Sequence, residues 1–215
     1  MQDFDNATIW AKKMNKRLKG RMASVRNSFF DVRFRDEDDQ RQSVAPPLTQ
    51  LLKNRSTGGL DIKLALTYLW MAGGSGQDPE TGERHTIKWS DADIAYLLAV
   101  PDPDKSGKRR IAKAKSRLEA TSLVEIRRRP GKPSLIALLN EGGNGEPYIA
   151  PGDKEAGGTG NYSKLTHHFW TNLWIQRLNG NSIAAFLIIN QLSSKTGKAV
   201  WRTPKERELR HHFSQ

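Results

Sequence analysis

The sequence contains no cysteine and no long apolar run. Without cysteine, disulfide bonds and thiolate metal sites are excluded. The longest continuous apolar stretches, residues 94–100 and 183–189, have seven residues each, far short of the ~20 residues that a membrane-spanning helix needs. The N-terminal residues are polar where a signal peptide would have an apolar core. We therefore expect an intracellular, cytoplasmic protein with no membrane partner.

Acidic residues are also scarce relative to basic ones. Lys and Arg number 35 against 23 Asp and Glu, which gives a formal net charge of +12. A basic protein is drawn toward polyanions, because each phosphate that Lys or Arg neutralises releases condensed counterions. Nucleic acid is the first candidate partner. The 215 residues can bury one sizeable core or two small ones.

Most of this charge lies in residues 105–132, which hold eleven Lys and Arg against two acids and contain no aromatic residue. The pattern predicts a basic helix over 106–121, followed by a hairpin over 124–138 that turns at Pro130 and Gly131. On a helical wheel Ile111, Ala114 and Leu118 share one stripe. The opposite stripe carries the polar and small residues Arg109, Lys113, Ser116 and Ala120, with Arg117 beside it.

Glycine, proline and charge divide the chain into segments. Residues 1–59 are predicted to be a basic flexible N-terminal arm and linker, because basic residues recur over 12–26 without an acid between positions 6 and 30. Residues 141–161 are predicted to be a Gly-rich linker. The compact unit between them, 60–140, begins with a helix that is apolar on most faces and should be buried. A second helix follows, with Ser90 as its N-cap and Asp93 as the capping-box partner.

The order of elements over 60–140 is helix, short strand, helix, turn, basic helix, strand, tight turn, strand. This order resembles the winged helix-turn-helix family of DNA-binding proteins. The resemblance is carried by SDADIAYLL at 90–98, KRRIAKAKSRL at 108–118 and LEATSLVEI at 118–126. It implies an α+β, mainly helical fold in which the basic helix enters the major groove and the hairpin is the wing.

Residues 162–215 are predicted to form a partial second winged-helix-like unit. Trp201 with Thr203 and Glu206 repeats the pattern of Trp89 with Ser90 and Asp93. The arrangement is similar to tandem winged-helix proteins among bacterial regulators and among replication or partition proteins of plasmids and phages, with the second copy incomplete. The alternative is a helical cap on the first domain.

The resemblance implies a set of site residues. Those expected to face base edges are Arg109, Lys113, Ser116 and Arg117. Those expected to contact the DNA backbone, from the helix and the wing, are Lys105, Lys108, Arg110, Lys115, Arg127, Arg128, Arg129 and Lys132.

The expected function is sequence-specific binding of double-stranded DNA in transcription regulation or in plasmid or phage replication or partition. Such a protein would be nucleoid-associated and would act as a homodimer or as an array on DNA.

Two other functions remain open at this point. An RNA or single-strand binder would interleave aromatic residues with its basic ones, which residues 105–132 do not do. A DNA-nicking replication enzyme would show two histidines separated by one hydrophobic residue. Here His167 and His168 are directly adjacent, as are His211 and His212. We therefore expect no catalytic residues, no metal and no cofactor.

Overall fold

The chain folds as an α+β protein that is mainly helical, with small sheets. The computed structural model describes residues 2–31, 33–37, 40–53, 57, 59–72, 86–151, 153, 158 and 161–196. The helices are α1 (Gln2–Arg17), α2 (Pro47–Leu52), α3 (Leu60–Ala72), α4 (Asp91–Leu97), α5 (Lys108–Ala120), α6 (His168–Thr171), α7 (Trp174–Arg177) and α8 (Gly180–Thr196). The strands are β1 (Ala23–Arg26), β2 (Arg33–Glu37), β3 (Gln40–Val44), β4 (Thr86–Ile87), β5 (Val124–Arg129), β6 (Lys132–Leu138) and β7 (Tyr162–Leu165).

Helix α3 lies at the centre of the core. Its sequence is apolar on nearly every side, and all of its residues except Lys63 are buried. A helix that is hydrophobic all round is stable only when other elements surround it. Helices α2, α5 and α8 and strands β1, β4 and β6 pack against it. The predicted buried helix is thus confirmed.

The elements from α3 to β6 follow the order predicted for the unit 60–140. Strands β4, β6 and β5 form an antiparallel sheet in that spatial order. The hydroxyl of Ser90 accepts a hydrogen bond from the backbone N–H of Asp93 at 3.1 Å, which confirms Ser90 as the N-cap of α4. In the β5–β6 turn, Gly131 has a φ of 68°, a conformation that glycine adopts without steric cost.

The connection between α4 and α5, residues 98–107, brings two segments of the backbone close together. Residues Pro103–Gly107 form one π-helical turn, and Asp102 caps it by accepting from the N–H of Ser106 at 3.0 Å. A Cβ on Gly107 would lie 2.8 Å from the carbonyl oxygen of Asp102, so a larger side chain would force the turn apart. The basic helix therefore begins at Lys108, two residues later than predicted.

The N-terminal segment differs from the flexible arm that its charge predicted. Helix α1 packs against α4 and α6, and Ala7, Ala11 and Met14 are almost completely buried. Strand β1 pairs with β7 in antiparallel register, Ala23 opposite Leu165. The physical reason is that small residues on one face of α1 let the helix lie close to its neighbours, a signal that a count of bulky apolar residues does not detect.

The segment predicted as a Gly-rich linker is anchored over its first residues. Glu141 is only 2% exposed and forms an ion pair of 2.5 Å with Arg26. The guanidinium of Arg26 also donates to the carbonyl oxygen of Ile149. Burial raises the pKa of Glu141, and the adjacent Arg26 acts in the opposite direction. This part of the segment is therefore fixed to β1.

The C-terminal elements share the core of α3. The rings of Trp70 and Trp170 stack with centroids 4.6 Å apart, and the indole N–H of Trp170 donates to Thr67 Oγ1 at 3.0 Å. Helix α8 begins at Gly180, where Asn179 accepts from the N–H of Ser182 at 2.9 Å. The repeated pattern at Trp201, Thr203 and Glu206, from which a second winged-helix-like unit was predicted, lies outside the described residues.

A pH-dependent stability follows from the position of Lys63. Burial lowers its pKa from 10.5 to about 8, and its Nζ donates to the carbonyl oxygen of Gln176 at 2.9 Å. The unfolded chain keeps this proton up to the higher pKa, so the free energy of unfolding rises as the pH increases from about 8 to 10.5. We expect Lys63→Met to lose this rise, measured as the difference in denaturation midpoint between variant and wild type across that range. An equal pH dependence in both proteins would contradict it.

Candidate nucleic-acid interface

Helix α5 presents one buried and one exposed face. Ile111, Ala114 and Leu118 are fully buried, where α5 packs against α3 and α4, as the helical wheel predicted. Arg109 and Lys113 lie on the opposite, exposed face. No hydrogen bond or ion pair to the described residues engages either side chain. The two cations are thus available to a ligand in solution.

Ser116 lies on the same exposed face. Its hydroxyl donates to the carbonyl oxygen of Ala112 at 3.3 Å, within the same helix. A hydroxyl that donates in this way keeps its oxygen lone pairs as acceptors. The predicted stripe of Arg109, Lys113 and Ser116 is therefore one surface that carries two cations and one hydroxyl.

Arg117 differs from its predicted position. It was expected to face base edges, but its guanidinium turns toward α3 and forms two hydrogen bonds with the carboxylate of Asp61, at 2.7 and 2.6 Å. Asp61 is only 1% exposed. A buried carboxylate must be paired, and the planar fork of an arginine meets both of its oxygens. Arg117 therefore fastens α5 to α3.

Lys115 also has an internal role. It was expected to contact phosphate, but it is 8% exposed and its Nζ lies 2.5 Å from the carboxylate of Asp91. Asp91 is in the first turn of α4, so this pair fastens α5 to α4. Together with the Arg117 pair, it fixes the rotation of α5 about its own axis.

The hairpin is held at a fixed position relative to α5. The Glu119 side chain, near the end of α5, accepts from the backbone N–H of Ile126 at 3.1 Å. Arg127 pairs with Glu125 on its own strand at 2.8 Å, and the guanidinium of Arg129 donates to the carbonyl oxygen of Pro133. These contacts order the strands and fix the direction of the turn between them.

The basic surface is defined here as the exposed predicted cations of α5, of the turn before it and of the hairpin. Its members are Lys105, Lys108, Arg109, Arg110, Lys113, Arg128 and Lys132. An acid lies at one edge of this surface. Hydrogen bonds from Ser106 lower the pKa of Asp102, and the positive charges of Lys105 and Arg109 act in the same direction. Asp102 therefore remains ionised and supports the turn rather than the ligand site.

A cluster of aromatic residues beside the basic surface was not predicted from the sequence. Trp10 of α1 stacks on Tyr96 with ring centroids 5.9 Å apart and meets Trp89 edge-on at 5.8 Å. Lys13 lies over the Trp10 ring and Arg17 over the Trp89 ring, at 4.5 and 5.7 Å from the centroids. Lys13 and Arg17 follow Trp10 by three and seven residues, so both cations lie on the same side of α1 as that ring. This spacing is the feature of the sequence that could have indicated the cluster.

In the described part of the chain, no group of three or more His, Cys, Asp or Glu side chains is arranged to hold a metal ion. None of the described helices has the length and hydropathy that crossing a bilayer requires.

The Asp61–Arg117 pair can be tested by its effect on stability. We expect Arg117→Ala to lower the free energy of unfolding by roughly 2 to 4 kcal/mol, because Asp61 would remain buried without a partner. The value lies below that of a fully buried pair because the Arg117 side chain is 31% exposed. Urea denaturation measures the change.

Two further variants control this measurement. Asp61→Leu combined with Arg117→Met should recover most of the lost stability, because it removes both charges together. Arg109→Ala, on the exposed face of the same helix, should change stability by no more than about 0.5 kcal/mol. Equal losses in Arg117→Ala and Arg109→Ala would refute a structural role for the pair.

Comparisons of this chain with models of protein families, with curated proteins and with solved structures gave no match. Its function is therefore inferred from the geometry and charge of its own residues.

Proposed function

We propose that this protein binds double-stranded DNA in a sequence-specific manner through a winged helix-turn-helix unit formed by α3 to β6. Helix α5 enters the major groove, and the β5–β6 hairpin contacts the backbone or the adjacent minor groove. The observation that carries the proposal is the exposed stripe of Arg109, Lys113 and Ser116 on a helix whose rotation is fixed by two internal ion pairs. A reader of base edges needs this combination of exposed donors and a rigid mount.

The topology of the unit supports the groove assignment. A ten-residue connection that includes one π-helical turn joins α4 to α5. The antiparallel sheet has the strand order β4, β6, β5, the order expected when a hairpin wing follows the second helix of a helix-turn-helix. The major groove is about 12 Å wide and accepts one α-helix. In such units the first helix crosses the backbone while the second lies in the groove.

Charge supports a division of roles within the basic surface. Arg109 and Lys113 can donate to guanine O6 and N7, and Arg does so with both arms of its fork. Lys105, Lys108 and Arg110 lie near the start of α5, and Arg128 and Lys132 lie on the hairpin. These five are proposed to contact phosphates, which orient the helix without reading sequence. Arg127 and Arg129 would add positive charge while they order the hairpin.

Duplex DNA is favoured over single strands by the composition of this surface. Single-strand binders stack bases on aromatic rings, and residues 105–132 contain none. The nearby Trp10 ring stacks on Tyr96 and is approached by Lys13, so its contacts are already made within the protein.

The protein would act in the cytoplasm, on the nucleoid or on a plasmid or phage genome, as a transcription regulator or in replication or partition. Residues 162–215 would be a second, incomplete winged-helix-like unit, for which the repeated pattern at Trp201, Thr203 and Glu206 is the support. Footprinting on genomic fragments separates these roles, because a regulator protects a promoter and an initiator protects a replication origin. A two-fold or iterated site would indicate a dimer or an array.

The groove assignment is tested by two single substitutions. Duplexes selected by the wild-type protein from a randomised pool would supply the probe. We expect Arg109→Ala and Lys113→Ala each to lose ~1 to 3 kcal/mol of binding free energy on the selected duplex and to relax the base preference at one position. Fluorescence anisotropy measures the affinities, and repeated selection measures the preference.

Matched controls for these substitutions come from exposed lysines elsewhere. Lys53 is the C-cap of α2, and Lys164 lies on β7. Lys53→Ala and Lys164→Ala each remove one charge, and both should leave affinity for the selected duplex nearly unchanged. Full affinity in both Arg109→Ala and Lys113→Ala would refute the placement of α5 in the groove.

A further inference from the structure

Helix α1 carries a second basic surface. Lys12, Lys13, Lys16 and Arg17 are all exposed. The only acids on this helix, Asp3 and Asp5, lie in its first turn, so the second half of the exposed face is uniformly positive. Like charges at this density repel one another, and the repulsion is relieved when a polyanion binds.

This surface has a fixed position. Ala7, Ala11 and Met14 are buried on its inner face, and the Trp10 ring packs on Tyr96 of α4 and on Trp89, which lies just before α4. A helix anchored in this way presents its cations at defined points, whereas a flexible tail would lose entropy on binding.

Contacts locate α1 relative to α5. Arg17 lies over Trp89, which directly precedes the N-cap of α4. The first residue of α4, Asp91, is paired with Lys115 of α5. At the other end of α4, Tyr96 stacks on Trp10 and donates its hydroxyl hydrogen to Asp104, just before α5. Helix α4 therefore contacts α1 along one side and α5 along another.

We propose that the exposed face of α1 contacts the sugar–phosphate backbone of the same duplex, beside the groove that α5 enters. This contact rests on the proposed function. The helix that precedes the reading helix crosses the backbone, so an element packed on its outer side lies over the phosphates that border the groove. The hairpin follows α5 at its other end, and the duplex is thus held on both flanks of the reading helix.

The identity of the polyanion follows from the equal sign of two neighbouring surfaces. The basic surface of α5 and the hairpin and the exposed face of α1 are both positive, and both helices contact α4, in which Asp91 is paired with Lys115 and Asp93 is half-buried. A duplex presents phosphates along both edges of its groove. A separate site for an unrelated acidic partner could lie anywhere on the surface. The packing of both α1 and α5 against α4 instead favours one ligand that contacts both helices.

The test is a charge reversal on α1. Lys12 and Lys16 are one helical turn apart and share an exposed face, and neither makes a ring contact with the aromatic residues. The matched control is Lys53→Glu combined with Lys164→Glu, which changes the net charge by the same amount on two elements, α2 and β7, that pack against α8. The probe is a short mixed-sequence duplex, whose binding reports backbone contacts without a known target site.

The expected result is a change in salt dependence. We expect Lys12→Glu combined with Lys16→Glu to reduce the slope of log affinity against log salt by about two, and to weaken binding by roughly 10- to 100-fold at about 50 mM salt. The Lys53 and Lys164 control should keep the wild-type slope. If each variant unfolds thermally with the same midpoint temperature as the wild type, unfolding is excluded as the cause of weaker binding.

Two results would overturn the α1 contact, and they have different consequences for the proposed function. If the α1 variant binds with the same slope and affinity as the control while the wild type binds duplex, α1 is a solvated face and the groove assignment is unaffected. If the wild-type protein binds no duplex under these conditions, the proposed function fails and the α1 contact fails with it.

Discussion

Burial of α3 is the constraint on which the rest of the structure depends. Because this helix is apolar on nearly every side, elements from both ends of the chain must surround it, and segments that look independent in sequence share one core. The helix also carries one buried carboxylate, that of Asp61. An ionised group in such a place needs a cation, and Arg117 of α5 supplies it.

That requirement orients the candidate site. With Arg117 held against α3 and Lys115 held against α4, the rotation of α5 is set by electrostatics as well as by its apolar stripe. Arg109 and Lys113 then face solvent. The two internal pairs hold this orientation in the free protein, so that under the proposed function little additional ordering would be needed on binding.

Local signals in the sequence were sufficient for much of the central unit. The helix 60–72, the cap at Ser90 and the hairpin over 124–138 all follow from periodicity, capping residues and turn residues, which act between neighbours along the chain. The exposed face of α5 was also predictable, because three buried residues at helical spacing define its opposite.

Other features depended on contacts between distant residues. The partners of Arg117 and Lys115 belong to other helices, and no spacing within α5 identifies them. Helix α1 was predicted as part of a flexible arm because basic residues recur along it. Two of its buried residues, Ala7 and Ala11, are alanines, which have little hydrophobic signal of their own. A small residue in a core stabilises the fold by letting two elements pack closely. Whether it does so depends on the element that lies opposite.

The sequence by itself determined the kinds and order of the elements in residues 60–140 and the concentration of positive charge in 105–132. Only the tertiary structure decided which of those charges face solvent and which hold the fold together, and that α1 lies beside α4. The physical reason is that charge is a property of one residue, whereas pairing and burial are properties of two surfaces that the chain brings together only when α3 is enclosed.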